Sequence, residues 1–90
     1  MCMGIEWDPT KAASNLAKHG VAFEEAVSCL LDPNALARED RHARGEARWV
    51  LIGMSAQARL LTVVYALPDE ETLRLISARK STRNEARHYA

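Results

Sequence analysis

Leu60-Leu61-Thr62-Val63-Val64-Tyr65-Ala66-Leu67-Pro68-Asp69-Glu70-Glu71-Thr72-Leu73-Arg74-Leu75-Ile76-Ser77-Ala78-Arg79 is the stretch that decides the fold. Two runs rich in β-branched and apolar residues, 60 to 66 and 73 to 79, flank a polar segment holding Pro68 and three acids. A parallel pair needs a crossover of a dozen or more residues, so a gap of residues 67 to 72 makes these runs an antiparallel pair. Toward the N-terminus, 47 to 53 and a shorter stretch at 35 to 39 have the same character. They are set apart by residues 41 to 46 and 54 to 59. The expected sheet is an antiparallel meander of about four strands.

Ahead of these strands the apolar period is helical. Asp8-Pro9 supplies an acidic N-cap and a proline at the first helical position, and Gly20 after Lys18-His19 is a stop signal, which predicts a helix over about 9 to 18. Its apolar side is thin, and Lys11, Asn15 and Lys18 line another face as a polar stripe. Phe23, Ala26, Val27, Leu30 and Leu31 recur at i, i+3, i+4, i+7 and i+8, so a second helix carries much of the core until Asp32-Pro33 ends it. After the strands, Thr82 with Glu85 fits a capping box, with Ser81 and Asn84 as the alternative, and a terminal helix begins just after Lys80. Two helices, about four strands and a helix make an α+β domain spanning residues 1 to 90.

Ninety residues leave room for one core, and 48% apolar with 27% charged residues is ordinary globular composition. No apolar run approaches the roughly 18 residues of a membrane span, and the first residues lack the basic start and apolar centre of a signal peptide, so a cytoplasmic protein is expected. Cys2 and Cys29 are expected to remain free thiols. The formal net charge is zero, which speaks against a nucleic-acid coat protein held by overall charge. Charge is unevenly spread: residues 1 to 37 carry Lys11 and Lys18 against five acids, whereas every arginine lies at or beyond Arg38. The second half is the side suited to phosphate.

Within it, Arg74, Arg79 and Lys80 fall on or at the exit of the last strand, just before a helix start. Strand alternation places Leu73 and Leu75 on one face and Arg74 and Ile76 on the other. Arg79 and Lys80 read either as solvated strand-end charges or as phosphate contacts, since cations beside a helix N-terminus are disfavoured until an anion joins them. Arg83 and Arg87 add a cationic side to the terminal helix. The segment from Arg38 to Glu46 contains His42 and both charge signs, and reads as a solvated connector or as the source of a general acid or base. No metal spacing links His19, His42 and His88, and no Gly-rich phosphate loop or Ser-His-Asp motif occurs, so no cofactor is expected. Trp7, Trp49 and Tyr65 read as core aromatics before base-stacking ones.

Taken in order, Ile5-Glu6-Trp7-Asp8, Lys11, Asn15, Lys18-His19-Gly20-Val21, Phe23, Ala26, Asp32-Pro33, Gly45-Glu46, Arg48, Ile52-Gly53, Val63-Val64-Tyr65, Arg74-Leu75-Ile76-Ser77-Ala78-Arg79 and Glu85 to Tyr89 resemble the BrnT family of toxins. The likeness covers nearly the whole chain. It implies a RelE-like ribonuclease fold, an RNA substrate, and a partner antitoxin of the BrnA type that binds operator DNA through its own ribbon-helix-helix part.

If the chain acts as the resemblance implies, the reaction is attack by an RNA 2'-hydroxyl on its adjacent phosphate, which the protein serves by positioning and charge stabilisation. Arg79 is then the bidentate contact to the scissile phosphate, with Arg48 as a further catalytic cation. Lys80, Arg83, Arg74, Lys11 and Lys18 are the expected RNA-binding residues. Arginine is a poor proton acceptor, so the base is sought among Glu46, His42, Lys11 and Tyr65, with Glu46 and Tyr65 placed in the catalytic set. The alternative is a catalytically inactive relative that only titrates an antitoxin and tunes operon repression. It is favoured by Ala66-Leu67-Pro68-Asp69, where the family often carries a basic residue.

Overall fold

The computed structural model describes residues 4–40 and 45–89. Eight elements follow in order: β1 (Gly4–Glu6), α1 (Pro9–His19), α2 (Phe23–Leu30), β2 (Leu36–Asp40), β3 (Arg48–Met54), β4 (Leu60–Asp69), β5 (Thr72–Lys80) and α3 (Arg83–Ala86). The strands form one sheet in the order β1-β5-β4-β3-β2. β2 to β5 make the expected antiparallel meander, but β1 adds a fifth strand parallel to β5, pairing Ile5 with Leu73 and Glu6 with Arg74. Three residues carry too little periodicity to register as a strand, and their connection to β5 runs through most of the chain. The sheet is therefore mixed. The β4–β5 hairpin is also tighter than expected, since Asp69 pairs with Thr72 and only Glu70 and Glu71 turn the chain.

Local signals account for the helix ends. Asp8 accepts from the Thr10 N–H at 2.8 Å, and Gly20 closes α1 in the left-handed region at φ 69°. α1 and α2 cover one face of the sheet. Phe23, Ala26 and Cys29 of α2 pack with Val21 on Leu51, Leu61, Val63, Tyr65, Leu73, Leu75 and Ala78. Trp7 meets the Phe23 ring edge-on at 5.8 Å. Gly53 is required here, because a Cβ on it would stand 3.0 Å from the Cys29 carbonyl oxygen where α2 crosses β3. Cys29 is a buried free thiol that desolvation pushes up to about 11.

The polar stripe expected on α1 is broken by Asn15, which is buried. Its amide donates to the Val21 carbonyl at 2.9 Å and the Ala78 carbonyl at 2.8 Å, and accepts from the Ala78 N–H at 3.1 Å. β1 reaches only as far as Arg74, so Asn15 satisfies the outer backbone groups of β5 beyond it. No described helix is long and apolar enough to cross a membrane.

Candidate nucleic-acid interface

The face of the sheet away from α1 and α2 gathers the arginines, and a β-bulge makes this possible. Arg74 and Arg79 are five residues apart, so a regular strand would point them to opposite faces. Val64 pairs with Ser77 but Tyr65 pairs with Leu75, leaving Ile76 as the extra residue that resets the alternation. Sequence alternation had put Ile76 on the Arg74 face and could not register the bulge. With it, three rows cross the face opposite α1 and α2. One runs Asp40, Arg48, Ala66, Arg74, Glu6; the next Arg38, Val50, Val64, Ser77; the third Leu36, Ile52, Thr62, Arg79.

In the third row Arg79 is engaged. Its two terminal nitrogens donate to the two oxygens of Glu85, each at 2.7 Å. Glu85 Oε1 also accepts from the Thr82 N–H at 2.8 Å and the Thr62 hydroxyl at 3.1 Å, while Thr82 Oγ1 accepts from the Glu85 N–H, completing the expected capping box. The Arg79 guanidinium, more than any other group, holds the Glu85 carboxyl down to about 2. The expected conflict between cations and a helix start is thus met from within the chain. α3 buries no residue of its own and is tied down by these polar contacts, and by Tyr89 beyond it, whose hydroxyl donates to Asp32 at 2.5 Å.

The first row holds a second cluster. Arg48 and Arg74 flank Ala66, which is fully buried, and Arg74 reaches Glu46 at 3.3 Å and Glu6 at 3.8 Å. Arg48 Nε is buried and finds no hydrogen-bond partner among the described residues. Four residues of β3 separate this row from that of Arg79, roughly 13 Å at about 3.3 Å per residue. The two clusters are therefore too far apart to hold one phosphate between them.

Other expected residues lie elsewhere. Tyr65 is 8% exposed on the helix-covered face, where burial raises its hydroxyl above the usual range, so it is not brought to the arginines. Lys80 pairs with Leu61 and so also points to that side, where its charge contributes to holding the Glu25 carboxyl down. Lys11 and Lys18 line an open depression with Ser14, Asn15, His19, Ile76 and Ser77, which shares no residue with either arginine cluster. Arg83 is exposed on α3. Cys2 and His42 fall outside the described residues. Among the described residues no group of three His, Cys, Asp or Glu side chains could hold a metal ion.

Sequence reading missed Glu85 as the partner of Arg79 because its spacing was fully accounted for as a helix cap. It also missed the buried Glu25, which is bound by Arg59 Nε at 2.9 Å, by the Arg59 terminal nitrogen and by the Ser55 hydroxyl at 2.7 Å. Its acidic position inside an apolar helical run was the available signal. Between β2, β3 and α3 lies a half-open cavity of about 270 Å³, lined by Leu36, Ala37, Arg38, Val50, Asn84, Glu85 and His88.

Comparison with known proteins agrees with this architecture. The crystal structure of the Brucella abortus ribonuclease toxin BrnT superimposes with a TM-score of 0.63 at 27% identity, covering 90% of this chain and 99% of that one. No curated protein sequence matches. Residues 7–85 match the sequence profile described as the ribonuclease toxin, BrnT, of type II toxin-antitoxin systems. A match of that extent means that the chain belongs to the BrnT family of ribonuclease toxins.

Proposed function

We propose that this chain is an active endoribonuclease of RelE-like type. In this reading it cleaves RNA in the bacterial cytoplasm to stop translation and growth, and a BrnA-type antitoxin neutralises it. That antitoxin alone contacts operator DNA. The observation that carries the proposal is the bulge-aligned row of Arg48 and Arg74 beside Glu46, on a face that α1 and α2 leave uncovered. The RNA 2'-hydroxyl attacks its own 3'-phosphate and the 5'-oxygen of the next nucleotide leaves, taking up a proton from solvent, to give a cyclic phosphate and a free 5'-hydroxyl. Arg48 and Arg74 stabilise the charge that builds on the phosphate oxygens.

The 2'-hydroxyl proton passes to Glu46, the nearer of the two carboxylates on Arg74. Glu85 does not serve, since a carboxyl held near 2 is a very weak base. The scissile phosphate is accordingly assigned to Arg48 and Arg74, and Arg79 takes a phosphate further along the strand. Lys11 and Lys18 lie beyond this track. Arg83, exposed on α3, extends it.

End-labelled RNA incubated with wild type, Arg48→Ala, Arg74→Ala and Glu46→Gln tests this. Each variant should cleave on the order of 100-fold more slowly while keeping its circular-dichroism spectrum. Wild-type cleavage rates in all three folded variants would overturn the assignment. A wild-type chain that binds its antitoxin but neither cuts RNA nor arrests growth would instead support the catalytically inactive relative.

A further inference from the structure

The cavity beneath α3 is unused by the mechanism above, yet it adjoins the phosphate contact at Arg79, because Glu85 both lines it and holds Arg79. Its walls include Leu36 and Val50, which are apolar, and Val50 belongs to the row next to that of Arg79. The rim is polar. The Asn84 side-chain amide has no hydrogen-bond partner among the described residues, and His88 uses Nδ1 on the Asn84 carbonyl at 3.0 Å, which leaves Nε2 directed elsewhere. Glu85 Oε1 carries three bonds, whereas Oε2 carries the Arg79 contact alone among the described residues. A space of about 270 Å³ falls just below the roughly 300–1,000 Å³ of drug-sized sites, which is room for a single heterocycle.

We propose that this cavity seats a single unstacked RNA base, read by Asn84, His88 and the open side of the Glu85 carboxylate, next to the phosphate held at Arg79. The inference rests on the reading of the chain as an RNA-cleaving protein. Single-stranded RNA is recognised by splaying a base out and bonding its edge. The rim offers what such an edge requires, namely an amide that donates and accepts, an imidazole, and a carboxylate that accepts from a ring or amino N–H. An apolar side chain of a protein partner would also fill the space, but it would leave the Asn84 amide and the carboxylate lone pair without partners at the contact. The base satisfies them.

The test is the pattern of cuts made in a random-sequence RNA pool by wild type, Asn84→Ala at the rim and Val50→Trp in the wall, each first checked for an unchanged circular-dichroism spectrum. The wild type should favour one base at a fixed position relative to the cut. Both variants should lower that preference about tenfold while cutting continues. Unchanged preference in the rim variant, with wild-type cutting intact, overturns the base seat and leaves the ribonuclease reading standing. Loss of antitoxin capture by Val50→Trp with preference unchanged assigns the cavity to the protein partner and also overturns it. A wild type that cuts no RNA removes the ribonuclease reading and the base seat together.

Discussion

Two arginine–glutamate pairs, Arg59–Glu25 and Arg79–Glu85, stand on opposite sides of the same sheet and do different things. The Glu25 side chain is 3% exposed, and its pair ties α2 to the β3–β4 turn with Ser55 as third partner. Glu85 is 23% exposed and Arg79 39%, and their pair ties down a four-residue helix that buries nothing. In the first pair the carboxylate is buried, although Arg59 itself is 30% exposed. The second lies where a phosphate can compete for the same guanidinium, since a carboxylate and a phosphate fit the arginine fork alike. Matching chemistry thus stands in two settings: on one side a buried carboxylate holds the fold, and on the other a partly exposed one leaves its arginine open to the phosphate of the proposed reading.

The largest expected effect comes from breaking the two pairs in parallel. Arg59→Ala leaves the Glu25 carboxylate buried without its counter-ion, a mechanism that belongs to the severe class of destabilisation. Its Tm should fall by more than about 10 °C, with per-molecule RNA affinity unchanged below the transition. Arg79→Ala should lower Tm by only a few degrees, as a partly exposed pair contributes little, and should weaken binding of a non-cleavable RNA at least tenfold. Calorimetry and RNA binding on both variants read the comparison. Equal Tm losses with equal RNA binding would erase it.

Acid separates the pairs next. The Glu85 carboxyl lies at about 2 in the folded chain against an ordinary 4.5, so its stabilisation is present above 4.5 and is lost as pH falls from there toward 2. Glu25 is lowered as well, by Arg59 first. In Glu85→Gln the decline of Tm across that window should be shallower than in wild type but not abolished, because Glu25 still titrates. A decline identical to wild type would show that Glu85 contributes nothing in the window.

How much of this was legible in the sequence follows from how far each signal reaches along the chain. The caps of α1 and α3, the apolar period of α2 and the alternation of β3 to β5 are local, and each element lies within two or three residues of its expected place. β1 escaped because its partner lies nearly seventy residues away and its three residues carry no pattern of their own. The arginines of the site were legible as a concentration of charge, but not their arrangement. One extra residue at Ile76 decides that Arg74 and Arg79 share a face, and a bulge leaves no mark in composition. Asn15 read as part of a polar stripe and Glu25 only as one acid among five, because the groups they bond belong to distant strands and turns.

The smallest effect concerns the turn that carries Ser55 and Arg59 to Glu25. Ala58 sits there at φ 61°, the one positive φ outside glycine among the described residues, and its N–H donates to the Ser55 carbonyl at 2.9 Å. A Cβ in the left-handed region costs about 1 kcal/mol, and glycine removes that strain while adding conformational freedom to the unfolded chain. The two terms leave a net gain of roughly 0.5 kcal/mol for Ala58→Gly, or about 2–4 °C in Tm. Because the turn packs on α2, through Glu25 and through the Ser28 hydroxyl that accepts from the Ala56 N–H, and not on the arginine rows, RNA binding should not change, and the gain should shrink in an Arg59→Ala background. A lower Tm in Ala58→Gly would mean that chain entropy outweighs strain at this turn. Equal gains in both backgrounds would mean that turn and pair stabilise the fold independently.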